Sequence, residues 1–138
     1  MKGFVLDCSV TMSWCFEDEV DSYSESVMDK LEGCEAVVPW IWTLEVANAL
    51  ISAERRARMT AADTSRFLRV LAGIAVLVDA TPPAKTMDEL VALGRCHGLS
   101  AYDAAYLELA MREGLPIATL DGELRAAAAK AGVSIFEG

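Results

Sequence analysis

The sequence predicts an α/β chain in which a central, mainly parallel five-stranded sheet lies between helices, giving three layers, α/β/α. Three observations predict it. Five short apolar runs, each three to five residues long, recur between longer segments with apolar residues at helical spacing. The runs are continuously apolar rather than alternating, which is the pattern of parallel strands covered on both faces. Gly, Pro or Asp punctuates most boundaries between the two kinds of segment.

In chain order, residues 4–6 (Phe4, Val5, Leu6) form a first strand that ends at Asp7. A helix follows over 9–16, and a second over about 22–31 stops at Gly33. Residues 36–38 form the second strand, closed by Pro39. A long helix runs over about 43–59, with Val46, Ala49, Leu50 and Ala53 at helical spacing. Thr60 and Asp63 have the spacing of a capping box and open a helix through Leu71. The third strand, 75–78, is ended by Asp79 and the Pro82-Pro83 break. Helices over about 84–96 and 100–112 are separated by His97-Gly98. Residues 116–120 form the fourth strand, 122–131 a helix stopped at Gly132, and 133–136 the fifth strand. With no linker, repeat or low-complexity tract, residues 1–138 read as a single domain.

Composition narrows the function. The chain is 54% hydrophobic and 24% charged, with a mean hydropathy of +0.30, which excludes a disordered chain. Its net charge of −9 excludes gripping nucleic acid through a general basic surface and disfavours anionic membranes. Asp7 interrupts the first apolar run too early for a secretory signal. The longest apolar stretch, 70–78, falls well short of the roughly 20 residues of a membrane helix. Cys8, Cys15, Cys34 and Cys96 form no C-x-x-C pair and His97 is the single histidine, so a structural zinc site is not expected. The cysteines read as small buried hydrophobes in a reducing cytosol, and the protein as cytoplasmic.

Ligands of doubly wound sheets bind at the carboxyl ends of the strands, so chemistry is expected there. Asp7 and Asp121 directly follow the first and fourth strands, and Glu45 opens the helix that leaves the second. Asp103 opens the helix that runs into the fourth strand, which places it at the same edge. Each acid alone has a structural reading. Asp7 and Asp121 suit helix starts, Ser100-x-x-Asp103 is a capping-box spacing, and Glu45 suits a first helical turn. Together, four carboxylates with no Lys or Arg nearby in sequence repel one another. A divalent cation such as Mg²⁺ or Mn²⁺, which takes hard oxygen ligands, resolves that conflict.

Four motifs carry a resemblance: Val5-Leu6-Asp7-x-Ser9, Leu44-Glu45-Val46-Ala47-Asn48-Ala49-Leu50, Leu99-Ser100-Ala101-Tyr102-Asp103-Ala104-Ala105-Tyr106 and Ala118-Thr119-Leu120-Asp121. In order and spacing they resemble the PIN-domain ribonucleases, in particular the VapC-type toxins of bacterial type II toxin–antitoxin pairs. The resemblance covers essentially the whole chain. It implies a PIN-like fold and a divalent-metal-dependent endoribonuclease that hydrolyses RNA phosphodiester bonds. It further implies that Asp7, Glu45, Asp103 and Asp121 are the acidic catalytic and metal positions. Asp7 and Asp121 are read as direct ligands, with Asp103 and Glu45 completing the shell directly or through water. Ser9 and Thr119 match the hydroxyl positions beside those acids, and Glu123 adds a further acid near the rim. The partners it implies are an RNA substrate, a cognate antitoxin, and a homodimer or toxin–antitoxin hetero-oligomer.

Other features carry paired readings. Residues 1–35 have a net charge of −7, whereas 54–72 have +3 and hold Arg55, Arg56, Arg58, Arg66 and Arg69. Those arginines either track an RNA backbone or complement a helix C-terminus. The acidic run of Glu17, Asp18, Glu19 and Asp21 reads as a solvated loop. Trp14, Trp40 and Trp42 either stack on bases or fill the core, with the core favoured for at least two. His97 reads as a cation at a helix C-terminus. Met12, Trp14 and Phe16 with Val46, Leu50 and Ala53 suggest a partner groove of the kind that receives an antitoxin segment.

Two other functions remain open to the residues. One is a different Mg-dependent phosphoryl-transfer protein on a doubly wound fold. Asp7-Cys8-Ser9 lacks the D-x-D of one phosphatase class, no lysine follows a late strand as in receivers, and no G-x-G-x-x-G or G-K-[ST] loop is present. The other is a non-catalytic module whose acidic rim only binds.

Overall fold

The computed structural model describes residues 2–138, apart from the side chain of Glu17. Four parallel strands, β1 (Lys2–Leu6), β2 (Glu35–Val38), β3 (Val76–Val78) and β4 (Ile117–Ala118), lie in the order β3-β2-β1-β4. The helices are α1 (Cys8–Ser13), α2 (Ser22–Lys30), α3 (Ile41–Arg55), α4 (Ala61–Ala72), α5 (Met87–His97), α6 (Ala101–Glu113) and α7 (Gly122–Lys130). Phe4, Val5 and Leu6 of β1 and Ala36, Val37 and Val38 of β2 are shut off from solvent, as their continuous apolar runs require. Around them pack Val10 of α1, Val27 of α2, Val46 and Leu50 of α3, Tyr106, Leu107 and Leu109 of α6, and Leu124 and Ala128 of α7.

The sheet has four strands, not the predicted five. Residues 133–136 make only a bridge between Ile117 and Ile135, held by the Ser134 carbonyl accepting from Ile117 N–H at 2.9 Å and Phe136 N–H donating to the Ile117 carbonyl at 2.8 Å. With β4 two residues long, there is too little partner backbone for a ladder. Side-chain packing takes over, and Phe136 stacks on Phe4 with ring centroids 4.1 Å apart. At the opposite edge, Leu77 and Val78 of β3 are 42% and 43% exposed, so that apolar run is not covered on both faces. Beside it, Trp42 and Val46 of α3, Leu68 and Leu71 of α4, Ile74 and Val78 line a cavity of about 400 Å³.

Several predicted boundaries move for identifiable reasons. The helix predicted over 43–59 begins at Ile41 and ends at Arg55, because Ala57 adopts a left-handed conformation, φ +59°. Arg58 N–H then donates to the Ala53 carbonyl at 2.9 Å and Ala57 N–H to the Glu54 carbonyl at 3.0 Å. This is the Schellman pattern with alanine where glycine is usual, so no Gly marked the stop. Alanine at such a φ costs about 1 kcal/mol or more. Ala57→Gly is accordingly expected to raise the melting temperature by about 3 °C in a thermal unfolding scan; an unchanged or lower value would show that the turn is not strained. The helix predicted over 84–96 loses its first turn to a separate 3₁₀ turn, Pro83–Lys85, and starts at Met87. Thr60 does cap α4: its Oγ1 accepts from Asp63 N–H at 3.1 Å while the Asp63 carboxylate accepts from Thr60 N–H at 2.9 Å.

Three further readings change. Met12, Val46, Leu50 and Ala53 are core residues at 3–8% exposure, and Trp14 and Phe16 pack against that core, so the predicted partner groove is filled. All four cysteines are free; Cys8, Cys15 and Cys34 are half-buried against the core, whereas Cys96 is exposed and departs from the buried hydrophobe expected. The acidic run is partly structural. Asp18 and Glu19 pair with Arg58, whose guanidinium also lies 4.0 Å over the Phe16 ring, and Asp21 caps α2. The side chain of Glu17 lies outside the described residues. Arg66 pairs with Asp63, and Arg55 and Arg69 sit in the last turns of α3 and α4, where cations complement the helix dipole. Among the described residues, no helix is long and apolar enough to cross a membrane.

Candidate active site

The strand order reverses between β1 and β4, and the acids gather at the carboxyl end of that switch. Val5 N–H donates to the Pro116 carbonyl at 2.9 Å and Asp7 N–H to the Ala118 carbonyl at 3.0 Å, which sets Asp7 beside Thr119. Asp7 is 5% exposed. Its Oδ2 accepts from Ser9 Oγ at 2.5 Å and from Thr119 Oγ1 at 2.7 Å. Each hydroxyl in turn accepts a backbone N–H at 3.0 Å, Ser9 from Leu120 and Thr119 from Asp121. With an N–H on each hydroxyl oxygen, the single hydroxyl protons are directed to Asp7.

The structural readings of the acids now separate. Asp7 precedes α1 but makes no side-chain cap bond, so capping does not explain it. Asp121 does cap: its Oδ1 accepts from Glu123 N–H at 2.8 Å and Leu124 N–H at 3.3 Å. Ser100 Oγ accepts from Asp103 N–H at 3.1 Å, but the reciprocal half of the box, present at Asp21 and Thr60, is not formed by Asp103. Glu45 lies beyond the first turn of α3, because the helix starts at Ile41. Its Oε1 accepts from the Tyr106 hydroxyl at 2.5 Å.

Electrostatics brings the four acids into one field. Burial raises the Asp7 carboxyl above its ordinary value; the Ser9 and Thr119 hydrogen bonds oppose that, and the charge of Asp121 adds to it. Glu45 is raised by burial, against the Tyr106 bond and with the charges of Asp7 and Asp103. Asp103 is raised by burial, then by Asp121, Asp7 and Glu123. The Cys8 thiol is pushed up to about 12 by burial and by Glu45 and Asp7. None of the ion pairs among the described residues includes Asp7, Glu45, Asp103 or Asp121. Asp79 shows the contrary case. Burial pushes it up, but the Arg112 guanidinium at 2.8 Å outweighs burial and holds it below its ordinary value.

The rim therefore concentrates negative charge that no ion pair among the described residues neutralises. Its donors are carboxylate and hydroxyl oxygens, the set that hard divalent cations take. Among the described residues, however, no three Asp, Glu, His or Cys side chains close into a preformed cage. The structure joins Asp7, Ser9 and Thr119 by direct contact and ranges Asp103, Asp121 and Glu45 about them.

Two neighbours were not singled out from sequence. Tyr106 lies one helical turn after Asp103 and so on the same face of α6, a spacing that offered the signal. Arg125 donates through Nε to the Thr119 carbonyl at 2.8 Å and lies 4.8 Å over the Tyr23 ring, for which no sequence signal existed. Of the tryptophans, Trp42 is buried, Trp14 packs against the core and donates to the Ser24 carbonyl, and Trp40 is exposed. His97 ends α5 as expected, with its Nδ1 buried and without a hydrogen-bond partner.

A parallel sheet whose order reverses beside a group of carboxylates defines a doubly wound α/β protein with an acidic rim at the carboxyl edge of its strands. The chain belongs to the PIN-domain family, whose profile matches residues 4–130. PIN domains are generally metal-dependent nucleases. The chain is also similar to the crystal structure of PAE2754 from Pyrobaculum aerophilum, at 26% identity and a TM-score of 0.69, over 92% of this chain and 87% of that one. No curated protein sequence matches the chain.

Proposed function

We propose that this protein is a Mg²⁺- or Mn²⁺-dependent endoribonuclease and the toxin of a bacterial type II toxin–antitoxin pair. The observation that carries the nuclease reading is the buried Asp7 carboxylate, facing three more acids with hydroxyls but no cation as partners. Asp7 and Asp121 would hold the cation directly, and Asp103 and Glu45 would complete its shell. When bound, the cation supplies an activated water and stabilises charge on the attacked phosphate. The protein's part is positioning. Ser9 and Thr119 fix Oδ2 of Asp7 and leave its Oδ1 for the ligand; the α7 cap fixes Oδ1 of Asp121 and leaves its Oδ2. With His97 the single histidine of the chain, there is no histidine pair for proton shuttling.

The toxin role rests on the motif resemblance and on apolar side chains left in solvent on α3, α4 and β3. Leu44, Ile51, Leu68, Leu77 and Val78 are 42–54% exposed, apolar side chains available for an antitoxin or a second copy to cover. The test incubates total RNA with the purified chain. Cleavage at discrete sites with Mg²⁺ or Mn²⁺, and none in excess chelator, is the expected result. Full cleavage in chelator would overturn the metal mechanism. Growth arrest on expression, relieved by a co-expressed neighbouring gene product, is the expected result for the toxin role.

A further inference from the structure

Tyr106 is the largest side chain in the protein that is wholly shut off from solvent. Its ring belongs to the apolar core, yet its hydroxyl ends at the acidic rim, 2.5 Å from Oε1 of Glu45. It therefore links α3, which carries Glu45, to α6, which carries Asp103 one turn earlier. A lysine or arginine in this place would hold Glu45 by neutralising it. A phenol holds it by a single hydrogen bond and leaves its charge available.

On this basis we propose that Tyr106 is a positioning residue for the cation site: it fixes Glu45 through Oε1 so that Oε2 is presented to the bound metal. The inference rests on the metal-dependent reading above. It assigns Tyr106 no contact with substrate. Partners that orient ligating carboxylates commonly govern metal affinity by about tenfold or more.

The test measures Mn²⁺ binding by the full chain, by titration calorimetry and by the Mn²⁺ electron-spin signal, with RNA cleavage recorded separately. Tyr106→Phe keeps the ring and removes the hydroxyl. The expected result is a Kd for Mn²⁺ raised about tenfold, with cooperative unfolding retained in the metal-free protein. In a Glu45→Gln background, whose own affinity is already reduced, Tyr106→Phe is expected to add little, because both changes break one link. Equal Mn²⁺ affinity in Tyr106→Phe and the parent overturns the proposal, as do losses that simply add in the double variant. Loss of cooperative unfolding in Tyr106→Phe but not in Glu45→Gln also overturns it, since Tyr106 would then serve only the core. If the parent chain itself binds no Mn²⁺, or Asp7→Asn binds it as well as the parent, the metal-dependent reading fails before Tyr106 is at issue.

Discussion

Asp7→Asn is expected to reduce RNA cleavage by at least about a hundredfold, because a direct cation ligand contributes several kcal/mol and each 1.36 kcal/mol is a factor of ten. The same substitution is expected to stabilise the metal-free fold. Asp7 is 5% exposed and lies in the field of Asp121, Glu45 and Asp103, so its charge is a burden when no cation is bound. Asparagine keeps an oxygen for Ser9 and Thr119 and removes the charge. The gain is about 1.4 kcal/mol for each unit by which the fold raises that carboxyl. Loss of activity with a higher melting temperature separates a ligand from a mere structural acid. Retained cleavage, or a fall in both quantities together, would count against the assignment.

The second large effect is a stability profile that slopes downward with pH in chelator. Asp7, Glu45 and Asp103 all have folded-state values raised above the ordinary carboxylate range. The folded state therefore holds more protons than the unfolded state, from the ordinary range near pH 4 up to the raised values. Their contribution is fully present below that ordinary range and is lost as pH rises through the folded values. Asp79, held low by Arg112, acts in the opposite sense: its contribution is present above the ordinary range and lost as pH falls through its lowered value. The metal-free protein should thus melt higher near pH 4, within the ordinary carboxylate range, than at pH 7. Mg²⁺ at about a hundred times its Kd should add roughly 2.7 kcal/mol at pH 7, and less near pH 4, where protons compete for the same oxygens. Melting temperatures across that range, with and without Mg²⁺, check both statements. A chelated profile that is flat or rises with pH would sink the idea of an uncompensated rim.

How far the sequence revealed this architecture depends on how local each signal was. β1 and β2 could be read because their runs of three consecutive apolar residues suit burial between two layers. β3 carried the same pattern but sits at an edge, and nothing in its own residues says whether a neighbour exists. The fifth strand failed because pairing needs a partner of sufficient length, and β4 supplies only Ile117 and Ala118. The end of α3 was hidden because Ala57 occupies a position that glycine usually announces. The acids themselves were legible from strand and helix order alone, which fixes the edge on which a residue falls. Their partners were not. The Tyr106–Glu45 bond spans 61 residues and the Thr119–Asp7 bond 112, and no local pattern reports contacts of that range.

The shortness of β4 has a consequence beyond strand count. Its register with β1 rests on two residue pairs, Val5 with Ile117 and Leu6 with Ala118. Just past them, Asp7, Ser9, Thr119 and the N–H groups of Leu120 and Asp121 form a closed ring of hydrogen bonds joining the same two segments. The side chains assigned to chemistry thus also act as a clasp across the β1–β4 seam of the sheet. Changes at Ser9 or Thr119 must then be judged on two scales at once, since loosening the clasp displaces the acids and frees the last turn of the seam together.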